Sequence, residues 1–289
     1  MSLKIDMEIA KGKLRENDGE NARATVRADL HTHTTNSDGL NTPSQVVEWA
    51  KDRGIEVLAI TDHDSVGGLD EGYETAKKLG VSFIGGIEFS TYQNCEIHIL
   101  GYNFDYKNPA FVQELQKIKQ LRIERNIEIG NKLKGFGIDL DLDFSKEGLG
   151  RKIIAYEMVK EGYCKDKQEA FEKWLGIYGK AYCPHKRMTP AEAVSLVKKY
   201  GGKSSMAHPK RYLLDSRLET FVRTLKDCGL DGIEAKYPTH TEKDVKELVA
   251  LANKYGLFIT GGSDRHDGDE QEFCCGLDRA DLRALMGWV

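Results

Sequence analysis

Apolar residues fall along this chain in two alternating rhythms: short runs rich in branched side chains, and longer stretches with helical spacing. The short runs predict strands over Val26–Leu30, Val57–Thr61, Ser82–Gly86, Ile97–Gly101, Ser204–Ala207, Gly232–Ala235 and Phe258–Gly262. Between them, Thr42-Pro43-Ser44-Gln45 is a capping box with proline at the first helical position, and Val46, Val47, Trp49 and Ala50 follow as the apolar side. Thr189-Pro190-Ala191-Glu192 repeats the device ahead of Ala193–Tyr200. Further helices are predicted over Leu69–Leu79, Leu218–Cys228 and Thr241–Tyr255. Strands alternating with helices point to a parallel sheet or barrel.

The alternation stops between Asn103 and His185, where strand signals vanish. Phe111, Leu115, Ile118 and Leu121 form a helical stripe, and Ile153–Lys160 and Lys167–Leu175 also read as helical. The expected organisation is an N-terminal extension (1–24), a barrel from 25–102 and 186–289, and a helical insertion (103–185) after the fourth strand. An insertion at a strand's C-terminal end would lie over the active-site mouth of a barrel. The chain has no repeat and no low-complexity tract.

Composition narrows the function classes. With 289 residues, 40% hydrophobic and 30% charged, the chain has ample material for a core. Lys plus Arg total 42 against 46 Asp plus Glu, a formal charge of −4, which argues against a general coat for duplex nucleic acid but allows a local phosphate pocket. No apolar run approaches a membrane span, and the mean hydropathy is −0.51. The opening Met1-Ser2-Leu3-Lys4 lacks the apolar stretch of a signal peptide, so a cytoplasmic setting is expected. Cys95, Cys164, Cys183, Cys228, Cys274 and Cys275 show no CxxC spacing and read as reduced thiols, Cys274-Cys275 being the one pair placed for zinc or redox chemistry.

The histidines carry the chemistry. Six of eight sit in, at the end of, or just past a predicted strand: His31 and His33, His63, His98, His208 and His266. Asp38, Asp62, Asp64, Glu88 and Asp264 accompany them, while His185 and His240 fall elsewhere. In an extended strand His31 and His33 point to one side, so one metal can take both. Imidazoles with carboxylates suit Zn, Mn or Fe, and the share of carboxylates tilts the set towards Mn. Taken singly, a histidine beside an aspartate is more often a satisfied core or surface residue. Collection of all of them at one edge of the inferred sheet is what points to a metal centre.

The segments Asp29-Leu30-His31-Thr32-His33 through Ser37-Asp38-Gly39, Thr61-Asp62-His63-Asp64, Gly86-Ile87-Glu88, Ile97-His98-Ile99, Ala207-His208-Pro209 and Gly262-Ser263-Asp264-Arg265-His266 together resemble the polymerase and histidinol phosphatase (PHP) family. They occur in that family's order over about residues 26–270. The resemblance implies a distorted seven-stranded α/β barrel and three divalent metal ions. The first ion would be held by His31, His33, Glu88 and Asp264; the second by Glu88 as a bridge with His98 and His208; the third by Asp38, His63 and His266. Glu88, Asp264 and His266 would then stand at the reacting centre, and Asp62 and Asp64 would orient the His63 imidazole.

Such a cluster hydrolyses phosphate esters, a water shared between metals acting as nucleophile near neutral pH. Cations complete the clamp on the phosphoryl group, and Arg151, Lys180 and Arg211 are the candidates, with Lys186 and Arg187 as further ones. Lys180-Ala181-Tyr182 looks like the Lys-x-Tyr stretch of nucleotide-hydrolysing relatives. The chain departs from them at Arg151-Lys152-Ile153, where they often have Arg-Thr-His, and at Asp267, where they often have glycine or alanine. The expected substrate is a small phosphorylated molecule: a nucleoside bisphosphate, or the 5′ end of a short oligonucleotide. Histidinol phosphate, amidohydrolase-type chemistry and a metal-binding regulatory role without turnover are the alternatives.

Overall fold

The computed structural model describes residues 25–184, 187–212, 215–266 and 275–286. The 1–24 extension, His185, Lys186, Asp267 and Cys274 lie outside the described residues. The chain divides into two compact units, Met1–Asn108 with Met188–Val289, and Pro109–Arg187.

The first unit is an eight-stranded sheet curled into a nearly closed barrel, one strand more than the sequence predicts. Strand order is β7-β6-β5-β4-β3-β2-β1-β8. The strands are β1 (Thr25–Asp29), β2 (Val57–Ile60), β3 (Ser82–Tyr92), β4 (Glu96–Tyr102), β5 (Lys203–Met206), β6 (Gly232–Lys236), β7 (Phe258–Gly261) and β8 (Cys275–Asp278). The extra strand, β8, runs antiparallel to β1 over Thr25–Ala28. Beyond it, the end of β1 meets the end of β7: Leu30 N–H donates to the Gly261 carbonyl (3.0 Å) and Asp264 N–H to that of His31 (2.8 Å). Gly262 permits this approach, since a Cβ there would stand 2.3 Å from that of His31.

β4 corrects a second expectation. It runs antiparallel to both β3 and β5, with Tyr92 opposite Glu96 and Gly86 opposite Tyr102. Its first residues therefore lie at the histidine-bearing end of the barrel, and the chain leaves it at the other end. It returns at Met188, whose carbonyl accepts from Tyr92 N–H at the histidine end.

The barrel helices are α1 (Pro43–Asp52) and α2 (Leu69–Leu79), then α6 (Pro190–Lys199), α7 (Asp215–Cys228), α8 (Glu242–Tyr255) and α9 (Arg279–Met286). Both predicted capping boxes are formed, at Thr42–Gln45 and Thr189–Glu192. Helix α1 buries Val46, Val47 and Ala50 against Leu58, Ile60 and Leu69. Full burial of each such Leu or Ile contributes roughly 1.5–3 kcal/mol.

The second unit holds α3 (Pro109–Gly135), α4 (Arg151–Lys160) and α5 (Lys167–Ala170), which continues into a π-helical turn at Phe171–Leu175. Its own core is built on Ile129, Leu133, Leu149, Ile154, Met158 and Leu175. Of the predicted α3 stripe, Phe111 and Leu115 are buried, whereas Leu121 is 37% exposed. Cys95, Cys164, Cys183 and Cys228 are free thiols, and no helix among the described residues is long and apolar enough to cross a membrane.

Candidate metal centre

The ends of four strands, positions within two more and one turn bring the nine candidate ligands together at one end of the barrel. His31 and His33 follow β1, His63 follows β2, Glu88 lies within β3, His98 near the start of β4, His208 after β5, and Asp264 and His266 after β7. Asp38 comes from the turn after β1. All nine residues are at least largely buried. Three sets converge closely enough to share an ion: His31, His33, Glu88 and Asp264; His63, Glu88 and His98; and His33, Asp38, His63 and His266.

Glu88 is the hub. Its Oε1 lies 2.8 Å from His98 Nδ1 and 3.0 Å from His208 Nε2. Its Oε2 lies 3.3 Å from His31 Nε2, 3.2 Å from His33 Nε2 and 3.1 Å from His63 Nδ1. Asp264 Oδ1 closes the first set at 3.4 Å from His31 Nε2 and 3.1 Å from His33 Nε2. In the third set His266 Nε2 stands 3.2 Å from Asp38 Oδ1, with His33 and His63 each 3.9 Å from the same oxygen. His63 faces Glu88 through Nδ1 and Asp38 through Nε2, so the sequence-based assignment of this residue to one set alone undercounts its neighbours.

The donors fit a divalent ion. Bonds of about 2.1 Å put neighbouring ligand atoms about 3.0 Å apart at an octahedral angle and about 3.4 Å at a tetrahedral one, which is the spacing of the first set. His31 Nε2, His33 Nε2 and Glu88 Oε2 are buried and make no hydrogen bond although they face one another at these distances. Buried polar atoms without a bond are costly unless something else satisfies them.

Electrostatics agree with the geometry. Burial works against charge on His33, yet the carboxylates of Asp264 and Glu88 hold it up to about 9. Burial also opposes charge on His31, which Glu88, Glu234 and Asp264 override, carrying it well above the usual imidazole range. Burial would raise Glu88, but His63, His31 and His98 keep it well below the usual carboxylate range. His63 and His208 are lowered, mainly by burial. A cage that holds imidazolium against full burial attracts a divalent cation for the same reason.

The surrounding residues differ from expectation in places. Asp62 does not serve the imidazole of His63; it accepts from Thr34 N–H (2.7 Å), Thr34 Oγ1 (2.7 Å) and Ser37 Oγ (2.6 Å), which fixes the turn carrying Asp38. Asp64 accepts from Ser90 N–H at 3.1 Å. Asp29 accepts from the backbone of His31 and Ser263, and burial pushes its carboxyl up to about 6. Among the described residues, five non-glycine positions have positive φ, and three of them are Asp64, His208 and Asp264. Such backbone costs of order 1–3 kcal/mol each and collects at functional sites.

Arg211 stands beside this cluster, its Nη1 3.2 Å from Asp264 Oδ2 and 3.2 Å from the Tyr237 hydroxyl, which itself donates to Asp264 Oδ2 at 2.9 Å. Arg151 and Lys180 belong to the second unit. There Arg151 donates to the Leu175 carbonyl, and Lys180 lies 5.3 Å from the Trp174 ring. One residue escaped the sequence reading. Glu234, fully buried in β6, lies 3.1 Å from His31 Nδ1. The available signal was a carboxylate inside the apolar run Ile233-Glu234-Ala235.

Comparison with known proteins was made against this geometry. Residues 29–182 match the family model described as the PHP domain. A 3′,5′-nucleoside bisphosphate phosphatase from Chromobacterium violaceum is 32% identical over 246 residues, covering 82% of this chain and 86% of that protein. A 5′-3′ exoribonuclease from Haemophilus influenzae is 34% identical over 248 residues, covering 84% of this chain and 90% of that one. Among solved structures, one described as an amidohydrolase from C. violaceum, with bound sulfate and no metal, superposes with a TM-score of 0.80 at 31% identity, covering 87% of this chain and 92% of the other.

Proposed function

Because this chain belongs to the PHP-domain family, we propose that it is a metal-dependent phosphoesterase acting on nucleoside bisphosphates or the 5′ ends of short oligonucleotides. The observation that carries this reading is a single buried carboxylate, Glu88, faced by five imidazoles at 2.8–3.3 Å. Three divalent ions (Mn, Zn or Fe) would be held by His31, His33, Glu88 and Asp264; by Glu88, His98 and His208; and by Asp38, His63 and His266. Bound there, they supply Lewis acidity towards phosphoryl oxygens and a water acidified towards neutral pH.

The chain's own residues do the rest. Glu88 offers one oxygen to each side of the centre, so it fixes the spacing of the ligand sets. Asp264 and His266, two positions apart in the loop after β7, hold the outer edge. Asp264 and Tyr237 anchor one nitrogen of Arg211, whose side chain remains 40% exposed, and its other donors are available to a phosphoryl oxygen. Arg151 and Lys180 are proposed as further substrate cations on their sequence pattern.

The test is phosphate release with added Mn²⁺ from nucleoside 3′,5′-bisphosphates, nucleoside monophosphates, 5′-phosphorylated oligoribonucleotides, histidinol phosphate and a chromogenic ester. Preference for one of the two proposed classes supports the reading. Turnover of histidinol phosphate alone, or silence across the panel from metal-loaded protein, overturns it. The two curated relatives differ in substrate at nearly equal identity, so the choice between their classes rests on this panel.

A further inference from the structure

Glu234 spans the two halves of the metal centre. Its carboxylate is fully buried in β6, and both oxygens face His31. They lie 3.1 and 3.3 Å from His31 Nδ1, and Oε2 also accepts the backbone N–H of His208 at 2.8 Å. His31 and His208 belong to different predicted ligand sets. The His208 backbone sits at φ 27°, ψ 56°, an uncommon conformation for a residue with a side chain, and the bond from Glu234 is one that holds it there.

We propose that Glu234 is a positioning residue that builds two ion sites at once, fixing the proton of His31 on Nδ1 while it pins the His208 backbone. With Nδ1–H donated to a carboxylate, His31 Nε2 carries the lone pair that faces Glu88 and Asp264. With its N–H held, His208 keeps Nε2 aimed at Glu88 Oε1. The carboxylate meets both demands because it offers two acceptor oxygens and no donor. An amide of the same shape offers one oxygen and one NH₂, so it must face a donor with a donor at one of the two positions. The third set, Asp38, His63 and His266, has no bond to Glu234 among those described and serves as an internal reference.

This inference rests on the proposed metal centre, and the experiment separates failure of one from failure of the other. Zn²⁺ affinity is measured by chelator competition for the wild type and Glu234→Gln, with the His31 ring nitrogens followed by ¹⁵N NMR in the zinc-loaded wild type. The expected result is a loss of about 10–100-fold in affinity, confined to the ions at His31 and His208, with the third site unchanged. Hydrolysis in Glu234→Gln should recover as metal is raised, which a general folding defect would not allow. Unchanged Zn²⁺ affinity, equal weakening of all sites, or a zinc-loaded wild type whose His31 Nδ1 carries no proton would overturn the role of Glu234. Selective loss of zinc in a protein whose wild type hydrolyses no ester would leave that role standing and remove the phosphoesterase reading. A wild type that takes up no zinc removes both.

Discussion

Gly262→Ala should dismantle the centre without touching a ligand. The new methyl would stand 2.3 Å from His31 Cβ and 2.5 Å from its nitrogen, whereas ordinary contact begins at 3.4 Å. Both neighbours are the backbone nitrogen and Cβ of His31, just beyond β1, and cannot swing away. β7 must therefore retreat from β1 by about 1.1 Å, the difference between those distances. That displacement takes the bonds from Leu30 to Gly261 (3.0 Å) and from Asp264 to His31 (2.8 Å) out of reach. Two hydrogen bonds at about 1 kcal/mol each, with roughly 1–3 kcal/mol of overpacking strain, give a loss of about 3–5 kcal/mol. The same movement carries Asp264 Oδ1 away from His31 and His33, now 3.4 and 3.1 Å distant. Separations above about 4 Å are too wide for one ion with bonds near 2.1 Å, and a misplacement of about 1 Å costs on the order of 100-fold in rate. Urea unfolding, bound metal per chain and kcat measure the three effects. Gly54→Ala is the control: it sits at φ +66° with nothing within 4 Å, so it should cost about 1–2 kcal/mol and leave kcat unchanged. A Gly262→Ala protein within 0.5 kcal/mol of wild type, with full metal and rate, would refute the claim that barrel closure sets the site.

Other perturbations follow from the same geometry. Glu88→Gln keeps the shape but removes the shared charge, so bound metal and hydrolysis should both fall at least about 100-fold; full activity would rule out a bridging role. Arg211→Ala should raise KM by roughly 10–100-fold, the worth of a charged hydrogen bond, at unchanged metal content, and loss of metal instead would make its bond to Asp264 structural. Asp29 carries a pH signature in the metal-free protein. Its folded value of about 6 lies above the ordinary carboxyl value of 3.8, so its neutral form contributes stability that is complete below pH 3.8 and lost as pH rises through 6. That component amounts to about 3 kcal/mol, and the urea midpoint of Asp29→Asn should fall correspondingly less than that of wild type between pH 4.5 and 7.

Much of this was legible before any coordinates. Local rules placed helix α2 at its observed bounds and formed both capping boxes, because caps are set by residues three positions apart. The clustering of the histidines was legible because most of them follow strands that meet at one end of the barrel. What escaped were non-local facts. β8 is four residues, Cys-Gly-Leu-Asp, without alternation, and exists through its pairing with β1 some 250 positions earlier. The direction of β4 depends on a tight hairpin whose signal, Asn94 at φ 62°, sits in a polar stretch that strand patterns pass over. Glu234 gives no local signal, because a lone carboxylate in the short run Ile233-Glu234-Ala235 carries no motif and its partners, His31 and His208, lie far away in sequence. The three donors that Asp62 gathers from the turn around Asp38 lie some 25 positions away from it and leave no local pattern.

Closure of β1 against β7 and β8 also fixes when the centre can exist. His31 and His33 leave the ribosome first among the ligands, while Asp264 and His266 emerge last. At 5–20 residues per second, the interval between the two halves of the first ligand set is on the order of 10–50 s. For most of that time β1 has neither β7 nor β8 to pair with, since both lie beyond residue 257. The first ligand set is therefore complete only once Asp264 has emerged, long after His31, His33 and Glu88.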